Sequence, residues 1–256
     1  MTTVPRLARL AIPLLSGWIF AGGVGTMILT MSLCRLYHPE EFAGSVPTIS
    51  KAAELAPEKA VFTIGMASVG LCILLAWISV YFYNRRNILR CGRPGLAWFN
   101  RLALLLGALE GASVAGLGLF NMDDALVLHM ASSYGTFFTG AFAFLTDSFG
   151  TARWQPAAGS GAGRHRRPRR FLALAVAAVG CFFFAVFLTK DGDPFGNHLL
   201  TRLFYVGAEL ALGALSFAYA PLYGVELAGD KGLDTVPDPS YRQALNPAPA
   251  GSPPSP

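Results

Sequence analysis

Six stretches of this chain, roughly 10–34, 60–83, 98–120, 125–146, 171–189 and 200–226, are almost wholly apolar, and the charged residues gather between them. A helix rises about 1.5 Å per residue, so about 20 apolar residues cross the roughly 30 Å hydrocarbon core of a bilayer. The fifth stretch is the shortest and the fourth the most polar. Only 14% of residues are charged, well below the quarter or so of soluble domains. The chain is expected to be an all-α polytopic membrane protein. Six transmembrane helices form one domain over residues 1–229, and 230–256 form a disordered cytoplasmic tail. The tail ends in NPAPAGSPPSP and has too few large apolar residues to order itself. The first stretch follows Arg6 and Arg9 and runs to Leu33. That is longer than the apolar region of a signal peptide, so an uncleaved span is expected.

Lys and Arg in short loops mark the cytoplasmic side. The second connection holds Arg85, Arg86, Arg90 and Arg93, and the fourth holds Arg153, Arg164, Arg166, Arg167, Arg169 and Arg170. The third connection, NMDDAL, has no base, and the fifth has only Lys190. Both termini are therefore expected in the cytoplasm, with connections one, three and five lumenal or outside. The Arg166, Arg167, Arg169 and Arg170 cluster serves first as topogenic charge. Its functional alternative is contact with anionic lipid headgroups.

Several function classes drop out. The net charge of +5 comes from membrane-flanking loops, so nucleic acid is not an expected partner; membrane lipids are. The four cysteines, Cys34, Cys72, Cys91 and Cys181, include no CxxC pair. No disulfide framework, metal site or cofactor is expected. There is no GxSxG, HExxH or Walker loop to announce a nucleophile, a zinc protease or a nucleotide site.

The polar residues inside the spans are the candidates for function. Glu110 lies about 15 Å below the lumenal end of span three, by helical rise, within GALEGASVAG. Glu209 lies at nearly the same depth in span six. A carboxylate there must face the bundle interior, take up a proton or find a partner. The simplest role for both is to staple helices together; the alternative is a substrate or proton site. Gly107, Gly111, Ala115 and Gly118 give span three a face on which another helix can approach closely. Span four is the expected neighbour, because NMDDAL is short.

Span four carries His129, Ser132, Ser133, Thr136 and Thr139 at spacings that lay them along one helical face. His129 sits near the lumenal surface, about 9 Å above Glu110 by rise. It is either an interfacial histidine hydrogen-bonded to a loop, or a general base or headgroup ligand. In the first lumenal loop, Pro57 and Glu58 suit the start of span two. The preceding Pro47-Thr48-Ile49-Ser50 is expected to be a short extended or turn element at the membrane surface, with Ser50 as a helix cap.

These residues together resemble a known six-span membrane family. It contains the post-GPI-attachment factor of lipid remodelling, the damage-regulated autophagy modulators and the Frag/Sfk proteins. PTIS followed by LAPEKAVF resembles the family's Pro–x–Ile–Ser element and the acidic entry to its second span. Asn100 before span three fits the pattern. Glu110 and His129, nineteen positions apart across a short hairpin, resemble the GPI-factor branch. Glu209 is similar to a Glu of several branches. Met130 and Ala220 stand where the GPI-factor branch has an acid and a second His, while APEK and LFN are closer to the autophagy modulators. The resemblance implies remodelling of GPI-anchor lipids in the Golgi or ER, with GPI lipid or GPI-anchored proteins as partners. A lipid chain would lie in a lumenal-side groove, with His129 and the hydroxyl stripe at the headgroup. Whether such a protein transfers acyl groups or assists an enzyme stays open. The alternative is a non-enzymatic adaptor at the lysosome or plasma membrane.

Overall fold

The apolar segments become helices longer than the hydrocarbon they would cross, because nothing in their flanks breaks the helix at the membrane surface. A computed structural model describes residues 4–43, 45–90, 92–151 and 166–229. The long helices are α1 (Val4–Tyr37), α3 (Glu58–Arg90), α4 (Ala97–Leu119), α5 (Met122–Thr151), α6 (Arg166–Thr189) and α7 (His198–Gly229), with a four-residue helix α2 (Ile49–Ala52) between the first two. No strand occurs among the described residues. Five of the long helices are long and apolar enough to cross a membrane; α5 has the length, 30 residues, but not the composition. The expected disordered tail and the side chain of Arg166 fall outside the described residues.

The helices form a closed up-and-down ring. Each long helix packs on its neighbour in sequence, and α7 packs back on α1. Neighbours run antiparallel: Trp77 of α3 lies against Gly107 of α4, while Gly70, further back along α3, lies against Ala115, further on along α4. The two described chain ends therefore sit together, at the end of the ring where the α3–α4 and α5–α6 connections also lie. That is the arginine-rich end; α2 lies at the other. Large apolar side chains such as Leu188 and Val127 point outward. The interior is sealed by Val69, Val114, Leu212 and Val176, all fully buried. A membrane protein turns oily surface outward because lipid solvates it as well as the core does.

The expected neighbour of the small-residue face needs correcting. Gly107, Gly111 and Gly118 pack on Trp77, on the backbone of Gly70 and Leu74, and on Met66 in α3. The α4–α5 contact uses other small residues: Gly116 against Ser132, and Gly140 against Glu110. The short hairpin does make α5 a neighbour, but α4 has two sides, and its flattest one meets the helix before it.

Candidate functional site

The α2 end is built from the PTIS segment. Thr48 has an extended backbone, and its Oγ1 accepts a hydrogen bond from the Lys51 N–H at 3.2 Å. Thr48 is thus the cap expected of Ser50, and it takes that role because α2 begins at Ile49. Ser50 is left free to meet His129, whose Nε2 lies 3.1 Å from Ser50 Oγ. Pro47 and Ile49 are buried, and the Ile49 N–H donates a long bond, 3.4 Å, to Glu209 Oε2. The loop motif therefore ties α5 to α7 across the top of the ring.

His129 is 3% exposed. Its Nδ1 lies 2.8 Å from the Phe120 carbonyl oxygen, across the α4–α5 hairpin. A carbonyl only accepts, so Nδ1 carries a proton; in the tautomer with that single ring proton, Nε2 accepts from the Ser50 hydroxyl. The hairpin itself is set by Asn121, whose side-chain oxygen accepts from the Asp124 N–H at 2.8 Å. A break in helical geometry at Ala125 follows.

Below Ser50 lies a narrow cavity of about 50 Å³ lined by Ser50, Glu110, Ser133, Thr136, Glu209 and Phe217, among others. Glu110 is 3% exposed and accepts from Trp77 Nε1 at 3.0 Å. It fits against α5 because residue 140 is Gly; a Cβ there would stand 2.8 Å from Glu110 Oε1. Thr136 is 8% exposed, and its Oγ1 has no hydrogen-bond partner. Ser132, expected beside Ser133, instead packs on Gly116, and Thr139 satisfies itself on the Gly135 carbonyl at 2.6 Å. Glu110 and Ser216 also line a second, more apolar space of about 30 Å³ that continues toward Tyr219 and Tyr223. One face of α7 follows the whole path: Tyr205, Glu209, Gly213, Ser216 and Ala220 recur every three or four residues. Above it, Lys190, His198 and Arg202 rim an open polar depression that also includes Tyr205.

A second polar centre, not singled out from the sequence, closes the arginine-rich end. Asp147 accepts from Asn84 at 2.9 Å, Tyr219 at 2.8 Å, Arg169 at 3.2 Å, and Tyr223. Arg169 also pairs with Glu226 at 3.3 Å and lies over the Tyr223 ring. Arg169, grouped by sequence with the headgroup-facing bases, is 1% exposed and turns inward to these acids instead. Arg167 and Arg170 are exposed. The sequence held two faint signals for this centre: Asp147 directly follows the apolar run of span four, and Glu226 ends span six.

The fold, with apolar helices outside and a few buried polar side chains within, defines a multi-pass membrane protein of helical type. Residues 11–204 match the Frag1/DRAM/Sfk1/Cwh43P N-terminal domain. The chain belongs to that family. Comparison with curated proteins and with solved structures finds no match.

Proposed function

We propose that the protein binds a membrane lipid in its ring and takes part in remodelling the lipid of GPI anchors in the Golgi or ER, with the α2 end lumenal and six spans. The observation that carries this reading is the cavity beneath Ser50. It is mostly apolar, as a lipid chain requires, with Glu110, Glu209, Ser133 and Thr136 as a few placed polar groups. An apolar lining with a few orienting groups is the character of ligand sites, and a whole chain enters this narrow one only as the helices around it part. The open polar depression of Lys190, Asp191, His198 and Arg202 suits a headgroup, and the second space toward Tyr223 lies where the end of a chain would reach.

The test is lipid analysis of GPI-anchored proteins from cells lacking the chain. Unremodelled anchor lipids are expected, restored by the wild type and not by Glu110→Ala. Normal anchor lipids in the deficient cells would sink the reading. A second reading, a non-enzymatic adaptor, is favoured by the exposure of Arg167 and Arg170. On that reading, replacing Arg166, Arg167 and Arg170 abolishes function while Glu110→Ala spares it.

A further inference from the structure

We infer that Ser50 and His129 form a nucleophile–base pair that transfers an acyl group between lipid hydroxyls. This rests on the lipid-site reading above and gives it a chemistry. Three observations converge. Ser50 Oγ lies 3.1 Å from His129 Nε2. The other ring nitrogen is held at 2.8 Å by the Phe120 carbonyl, which fixes the tautomer in which Nε2 is the acceptor. Ser50 also lines the cavity where the acyl chain would lie. A nucleophile within hydrogen-bond reach of a base, with the base oriented by a third group, is the general arrangement of covalent acyl transfer. Here the backbone carbonyl takes the place of the usual carboxylate.

Thr136 Oγ1 is buried in the same cavity without a partner, but it lies seven residues, about 10 Å of helical rise, from His129, too far to donate to a carbonyl held at Ser50.

The steps balance without any further reagent. Ser50 Oγ attacks the carbonyl carbon of a lipid acyl ester, and its proton passes to His129 Nε2. The carbon–oxygen bond to the donor lipid breaks, and the departing alkoxide takes that proton from Nε2. Ser50 is then an ester of the fatty acid. A hydroxyl of a second lipid gives its proton to Nε2 and attacks the same carbon. The Ser50 oxygen leaves and recovers the proton. Throughout, Nδ1–H stays on the Phe120 carbonyl.

The test uses the full chain in detergent micelles with a fluorophosphonate probe, followed by peptide mapping. In parallel, a phospholipid with a radiolabelled acyl chain is supplied together with an unlabelled lysophospholipid. Covalent labelling at Ser50 and transfer of label between the lipids are expected. Both should vanish in Ser50→Ala, and His129→Gln should slow them by about a hundredfold or more. Unchanged thermal unfolding of Ser50→Ala would show that the loss is chemical. No adduct at Ser50, or transfer in Ser50→Ala at the wild-type rate, would overturn the inference. The cellular assay separates the two claims. If Ser50→Ala restores anchor lipids in deficient cells while Glu110→Ala does not, the lipid site stands and the nucleophile falls.

Discussion

Asp147 receives hydrogen bonds from Asn84, Tyr219, Tyr223 and Arg169 in a part of the molecule closed to water. Isolated buried charges are very unfavourable, and pairing offsets this only when the remaining donors and acceptors are satisfied. Removing one partner therefore leaves the other stranded. Arg169→Ala is expected to lower stability by about 3–5 kcal/mol, read as a fall in the unfolding midpoint in micelles. An unchanged midpoint would mean that the pair is not formed. At the other end, His38 sits beyond the end of α1, and its pKa is raised above the ordinary 6.5. The leading cause is its hydrogen bond to the Ala56 carbonyl, at 3.0 Å, with Glu58 and Glu40 adding to it. A raised pKa means the folded state favours the protonated ring. Its contribution to stability is full below pH 6.5 and is lost as pH rises through the folded value. Titration of the His38 ring protons by NMR should place the midpoint above 6.5 and show it falling in Glu58→Gln. A midpoint at or below 6.5 in the wild type would contradict the contacts described. The sequence pointed to Glu110, Glu209 and His129, because a polar residue in an apolar run is conspicuous. It held only faint signals of the Asp147 centre, whose members sit at span ends among ordinary flanking charges.

At the scale of elements, the α3–α4 contact rests on backbone meeting backbone. A Cβ at Gly70 would stand 2.5 Å from both the Ala115 nitrogen and the Gly111 oxygen, neither of which has a flexible end that can swing away. Gly70→Ala should therefore force the helices apart at about 1–3 kcal/mol. Gly17→Ala, with nothing within 4 Å of its Cβ, should be neutral or stabilising, because Ala favours helix. Thermal unfolding of the two variants checks both, and equal behaviour would mean the close approach is absent. The small-residue face was legible from spacing, since a period near 3.6 is written in the chain. Which helix it meets was not, because spacing fixes a face relative to its own axis and leaves the rotation of that axis unset. The same limit applies to the hydroxyl stripe of α5. Ser133 and Thr136 reach the cavity, while Ser132, one residue around the helix, turns to α4.

Over the whole molecule, the closed ring makes a statement about sidedness. Each helix runs opposite to its neighbour, so the α4–α5 and α6–α7 connections share one end, and the α3–α4 and α5–α6 connections share the other. If α5 crosses the bilayer despite its polarity, Asp123→Cys and Arg167→Cys should react with a membrane-impermeant thiol reagent from opposite sides of sealed vesicles. Reaction from the same side would reduce the spans to five. The sequence by itself determined that this chain is helical and belongs in a membrane, because the transfer of an apolar segment into hydrocarbon is a local sum over about 20 consecutive residues. Only the tertiary structure decided that Ser50 faces His129, that Arg169 turns inward to Asp147 and Glu226, and that Glu110 shares a cavity with Glu209. Those meetings depend on the order of helices around the ring and on how far each is turned about its axis. Both are set by the fit of many distant side chains at once, and no single segment carries them.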